Sequence, residues 1–333
     1  MAYRLSWVDA AKGILIVFVA MVHIVGRGEE LNISCPAIDA IGPVASVLCF
    51  RMPAFFILAG FWGKYDISFK DFLTKNAKGI LLPLIIFSYL GGIVYEISYE
   101  LLKGSYNAGA LEWPFLGISL DYWFVLALFI AKCVYWVINR ISRKQWIRLI
   151  ICLGLYVFGV ATLNMGFLPN FACWKWALVM LVYLSVGQWI KEKIDGWRLL
   201  LVSLPVFLVG YLFYRWQGMD IPYPNGGMKY INWATALPSF LLCTAGSYVF
   251  LKLCSFIKHA RVLEFIGRNT LAIYVMHWWI EILAMKVMRN FFSQGIFMST
   301  LATLNTLALA VFVPCLISEL LNCPKLRWII GKP

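Results

Sequence analysis

Long apolar runs separated by short polar breaks fill almost the whole chain. Ten of them predict membrane-spanning helices, over residues 7–26, 38–62, 79–102, 120–138, 148–168, 173–190, 199–216, 231–252, 265–286 and 296–321. Their lengths are close to the roughly 20 apolar residues that carry a helix across a bilayer. No connection between them exceeds about twenty residues, which leaves no room for a separate soluble domain. The pattern therefore predicts an all-α, polytopic helical bundle, with residues 1–333 forming a single transmembrane domain.

The basic residues give this bundle a direction. With the N-terminus on the cytoplasmic side, the inner loops and termini hold eighteen lysines and arginines and the outer loops seven. The positive-inside rule then places both termini in the cytoplasm, and the alternation favours an even number of spans. This placement also accounts for the net charge of +13, which on its own suggests a nucleic-acid partner; no nucleic-acid partner is expected.

Composition agrees with a membrane solvent. Of the 333 residues, 62% are hydrophobic and only 14% charged, and mean hydropathy is +0.79. No soluble globular protein of this size has that balance. The head does not read as a cleaved signal peptide, because Asp9 and Lys12 interrupt its apolar run and no small-x-small site follows. The nine cysteines form no C-x-x-C pair, so neither metal nor redox chemistry is expected. Only Cys35 and Cys173 fall near outer loops, and spacing alone does not decide whether they pair.

Against this background the ionisable residues inside spans stand out, because such groups are costly in lipid and face a bundle interior or a wet cavity. In the first span, Lys12 and His23 lie eleven residues apart. At 100° per residue they share a face, separated by a rise of roughly 16 Å. Asp9, three residues before Lys12, is within reach of it. The bland alternative makes Asp9 and Lys12 interface residues and His23 a hydrogen-bonded core histidine. In the second span, Arg51 precedes Pro53. An arginine at that depth needs an anionic partner, a carbonyl cluster or water, and a proline inside a span loosens the helix. A structural kink with a snorkelling arginine explains the same residues. In the ninth span, His277 lies about 15 Å from Gly267 along the helix, and Glu281, four residues on, is placed to orient its ring. A core histidine that locks helices together is the alternative there.

Together these stretches resemble the family-three membrane acyltransferases, which O-acylate sugars. In that family a basic residue, often arginine, precedes a first-helix histidine by eleven positions, as Lys12 precedes His23. Phe50 to Phe61 resembles the family's H-M-P-x-F-F-x-x-S-G-F, with Arg51 in place of the histidine and Ala59 in place of the serine. Trp123-Phe124-Val125 resembles its W-F-L signature. Phe265 to His277 resembles its I-G-K-x-S-L-x-I-Y-x-x-H almost position for position. Lys75 and Lys78, before Pro83, loosely match a pair of basic residues ahead of an apolar run and proline. The same lysines follow from positive-inside topology with no ligand at all.

The resemblance implies transfer of an acyl group, usually acetyl from cytoplasmic acetyl-CoA, to a hydroxyl of a surface glycan or its lipid-linked precursor, at the bacterial cytoplasmic (inner) membrane. In that setting His23 takes the hydroxyl proton, since neutral imidazole suits a base near pH 7. Lys12, placed by Asp9, holds donor phosphates or polarises the thioester. Arg51 stabilises charge on the carbonyl oxygen, and His277 with Glu281 serves as a second acid/base or shapes the cavity. Lys75 and Lys78 bind the phosphates of the donor, and Trp123 supports the site. The outer loop from Arg215 to Tyr230, with Trp216, Asp220, Tyr223 and Pro224, offers flat rings to a sugar, although a Pro/Gly-rich turn has the same composition. Glu96 and Glu100, four apart on one face, either guide an acceptor or face water. The competing hypothesis is a transporter or flippase of a lipid-linked sugar. The absence of repeated halves speaks against it.

Overall fold

The computed structural model describes residues 5–103, 122–165, 173–224 and 231–332, and the side chains of 92 and 94–103 lie outside the description. Glu96, Glu100, Asp121 and residues 225–230 of the outer loop therefore lie outside the described side chains. In chain order the helices are α1 (Ser6–Leu31), α2 (Pro36–Asp39), α3 (Ile41–Val47), α4 (Arg51–Phe61), α5 (Phe69–Asn76), α6 (Leu82–Lys103), α7 (Trp123–Ile141) and α8 (Gln145–Met165). They continue as α9 (Trp174–Ile190), α10 (Arg198–Trp216), α11 (Ala236–Cys254), α12 (Arg261–Arg268), α13 (Thr270–Val287), α14 (Arg289–Phe292) and α15 (Gly295–Leu320). A π turn spans Ala77–Leu81 and a 3₁₀ turn Arg327–Ile330, and the described residues contain no strand. Seven of these helices (α1, α7, α8, α10, α11, α13 and α15) are long and apolar enough to cross a membrane. All nine cysteines are free thiols.

Two of the predicted spans are interrupted. Residues 38–62 form α2, α3 and α4 rather than one helix, and the break before α4 falls at residues 48–50, upstream of the proline blamed for it. Pro53 sits in the first turn of α4, where no intrahelical partner awaits its missing N–H, so it costs the helix nothing. The ninth span breaks at Asn269 into α12 and α13. The Asn269 amide, 2% exposed, holds that break. It donates to the Phe265 carbonyl at 3.1 Å and to Glu319 at 3.4 Å, and accepts from the Ser318 hydroxyl at 2.7 Å and from Lys332 at 3.3 Å.

The contacts divide the chain into two compact units, each taken over its described residues: Met1–Val47 with Leu82–Leu116 and Ile257–Pro333, and Leu48–Leu81 with Gly117–Phe256. In the first unit α1 packs along α12 and then α13, while α15 closes on α13. Backbone meets backbone where α1 passes α12. A Cβ on Gly13 would lie 2.2 Å from the Leu263 carbonyl oxygen, and one on Gly267 only 1.8 Å from that of Asp9. Small residues permit such approaches between membrane helices. The far end of this unit is sealed by Ile24, Ile33, Ile38, Ile41, Met285 and Phe292.

In the second unit α9 is the central helix, packed against α4, α7 and α8. Its side chains from Val179 to Leu184 are all fully buried. The contact with α4 again uses reciprocal glycines: Gly60 lies under the Leu184 carbonyl and Gly187 under that of Ile57. By contrast α10 exposes Leu201, Val202, Val209 and Leu212, an apolar surface suited to lipid.

Candidate functional site

In the first unit α1 and α13 bring the two intramembrane histidines together. The rings of His23 and His277 meet edge to face, with centroids 5.0 Å apart. His277 is 3% exposed and His23 half-buried. The Nδ1 of His277 lies 2.9 Å from both the Ile273 and the Tyr274 carbonyl oxygens. Carbonyls only accept, so this nitrogen carries the hydrogen and donates to both. In the neutral ring the lone pair is thereby fixed on Nε2.

That arrangement corrects one sequence-based role. Glu281 does not orient the His277 ring, because the backbone of α13 does so one turn earlier. The Glu281 side chain is itself fully buried, and neither of its oxygens has a hydrogen-bond partner among the described residues. The charged group that acts on it is Arg27 of α1. Arg27 is four residues beyond His23, just as Glu281 is four beyond His277, so two successive turns of the helix pair place histidine beside histidine and then cation near carboxyl. The Arg27 guanidinium also lies 5.4 Å from the centre of the Trp278 ring and pairs with Glu30. The span predicted over residues 7–26 leaves Arg27 in an outer loop. The helix runs to Leu31. The i,i+4 spacing from His23 was the available signal.

At the other end of α1, the Lys12 ammonium lies 3.6 Å from Asp9, whose side chain is buried while that of Lys12 stays partly exposed. The expected contact between these two is present. Beside it, the Ser6 hydroxyl donates to Glu264 of α12, and the Ala260 N–H donates to the same oxygen at 2.9 Å. These two donors, the serine first, hold the Glu264 carboxyl below the usual range.

The remaining candidates belong to the second unit. Arg51 opens α4 and is 7% exposed. It donates to the Leu48 carbonyl at 3.2 Å, satisfying backbone at the break, and its guanidinium lies 5.3 Å from the centre of the Tyr223 ring. Trp123 is buried rather than placed at an interface. It meets Trp176 edge-on at 5.5 Å, while Phe124 beside it packs on Phe55 and Phe56 at 5.6 and 5.3 Å. Two motifs far apart in sequence, at residues 50–61 and 123–125, thus share one aromatic cluster.

Lys75 and Lys78 are exposed, at the end of α5 and in the π turn. The preceding loop is clamped to α7: the indole of Trp136 and the guanidinium of Arg140 both donate to the Ile67 carbonyl, at 3.1 and 2.7 Å, and Asn139 donates to Asp66 at 3.1 Å. Among the described residues no group of three or more His, Cys, Asp or Glu is arranged to hold a metal ion.

No curated protein and no solved structure matches the chain significantly. A family model does: an acyltransferase domain, family three, matches residues 5–319 and so runs through both units. With its apolar helices and this match over nearly its whole length, the chain belongs to acyltransferase family three and is a multi-pass membrane acyltransferase.

Proposed function

We propose that the protein moves an acetyl group from cytoplasmic acetyl-CoA to a hydroxyl of a cell-surface or lipid-linked saccharide, in the bacterial inner membrane, through ten spans with both termini on the basic face. The observation that carries this reading is the histidine pair across α1 and α13, with the His277 tautomer fixed by its own helix. A sugar hydroxyl is a poor nucleophile and needs a base at its oxygen. His23 takes that proton as the oxygen bonds to the thioester carbonyl carbon. The proton then passes to the departing CoA sulfur as the tetrahedral adduct collapses. His277, whose ring centre lies 5.0 Å away, keeps its lone pair on Nε2 because its Nδ1–H is held by the backbone of its own helix.

Lys12, steadied by Asp9, faces the donor's phosphates or thioester, and exposed Lys75 and Lys78 bind the phosphates electrostatically. Arg51 is assigned to the negative charge that develops on the carbonyl oxygen. The test is CoA release by purified wild type and by His23→Ala, supplied with acetyl-CoA and candidate saccharides. Acceptor-dependent release in wild type, reduced at least about a hundredfold in the variant, is expected. Full release by His23→Ala would remove the base from the reading. Transport of labelled lipid-linked sugar without any release would replace acyl transfer altogether.

A further inference from the structure

The loop after α10 does not stay in water. It leaves the helix through Gly218, at φ +65°, with the Met219 N–H donating to the Tyr214 carbonyl at 3.0 Å. Trp216, Met219 and Asp220 are exposed, but Ile221, Pro222 and Pro224 are buried. The chain thus turns back into its unit as a short strap, Ile221-Pro222-Tyr223-Pro224. Each proline fixes its own φ near −65° and holds the residue before it extended, so the strap is stiff. Its one polar ring, Tyr223, lies 5.3 Å from the Arg51 guanidinium.

We propose that Tyr223 is a positioning residue for Arg51 and that the Ile221–Pro224 strap forms the wall on which the saccharide acceptor packs. This rests on the proposed acyl transfer and on Arg51 acting in it. Arg51 is held from two sides, by the Leu48 carbonyl at the helix break and by the Tyr223 ring. A guanidinium on an aromatic face is fixed in plane while its outer N–H groups still point outward. On the charge count the strap belongs to the face opposite the basic loops, where a glycan and not the CoA donor arrives. A tyrosine ring also offers a sugar both an apolar face and a hydroxyl. The strap therefore couples acceptor packing to the placement of the cation.

The experiment compares Tyr223→Phe with Tyr223→Leu and Tyr223→Gln in purified full-length protein, each checked for folding by its melting temperature. Phenylalanine keeps the ring and is expected to retain turnover within about threefold. Whichever of the leucine and glutamine variants folds is expected to lose roughly tenfold in kcat/KM for the saccharide, with the KM for acetyl-CoA unchanged. A folded ring-less variant with wild-type kcat/KM for the saccharide, or one whose loss falls on acetyl-CoA, overturns the assignment. Absence of CoA release by wild type with every saccharide is a different result: it overturns the acyl-transfer reading and this assignment with it.

Discussion

Replacing Gly267 by alanine probes the contact on which the histidine pair depends. The new methyl carbon would stand 1.8 Å from the Asp9 carbonyl oxygen and 2.6 Å from its carbon. Both are backbone atoms inside α1, so no side-chain rotation relieves the clash. Reaching ordinary contact at 3.4 Å requires α12 to move away from α1 by about 1.6 Å. Overpacking of this kind costs about 1–3 kcal/mol, and the displacement is transmitted through Asn269 into α13, which carries His277. Gly26 is the internal control. It lies on α1, the helix that Gly267 meets, has nothing within 4 Å of its would-be Cβ, and its change to alanine gains up to about 1 kcal/mol of helix propensity. Melting of the two detergent-purified variants under identical scan conditions should separate them by roughly 2–5 °C, with Gly267→Ala lower. Acyl transfer should fall in Gly267→Ala and persist in Gly26→Ala. A Gly267→Ala protein with the melting temperature and turnover of wild type would show that the α1 and α12 backbones do not touch, and the register that sets His23 against His277 would lose its basis.

Two further outcomes follow from particular side chains. Glu281→Leu removes a fully buried carboxyl whose oxygens have no hydrogen-bond partner among the described residues. The melting temperature should hold or rise, because a buried carboxyl without a hydrogen bond costs free energy. A fall of several degrees would instead make Glu281 part of the fold's own polar network. Glu264 is held below the usual carboxylate range by the Ser6 hydroxyl and the Ala260 N–H. Its contribution to stability is therefore complete above the unfolded carboxylate value, about 4.3, and is lost as pH falls through the lower folded value. Ser6→Ala should flatten that acid-side loss in melting experiments across the same range, and an unchanged pH profile would show that the serine does not act on Glu264.

Much of this molecule was legible without coordinates. Over the described residues the predicted spans are mostly helical, and seven of the helices are long and apolar enough to cross a membrane, because apolar length and intrahelical backbone hydrogen bonding are local properties that lipid enforces. The shared face of Lys12 and His23, and the contact of Asp9 with Lys12, followed from 3.6 residues per turn. Local rules also misled. Pro53 drew the break toward itself, whereas the chain breaks at residues 48–50 and uses the proline as a helix start. Ending the first span at residue 26 left Arg27 in a loop, although the helix carries it four residues beyond His23.

What only the tertiary structure decided are the meetings between segments distant in sequence. Periodicity places His23 and His277 on faces, but that the faces meet is set by Gly13 and Gly267, which let α1 and α12 approach until backbone touches backbone. The tautomer of His277 depends on two carbonyls of its own helix that its rotamer happens to reach. Tyr223 reaches Arg51 only because Gly218 and two prolines turn the loop inward. A sequence records which groups are costly to leave in lipid. Packing decides which other group relieves each of them, because that choice depends on distances between helices that no one helix contains.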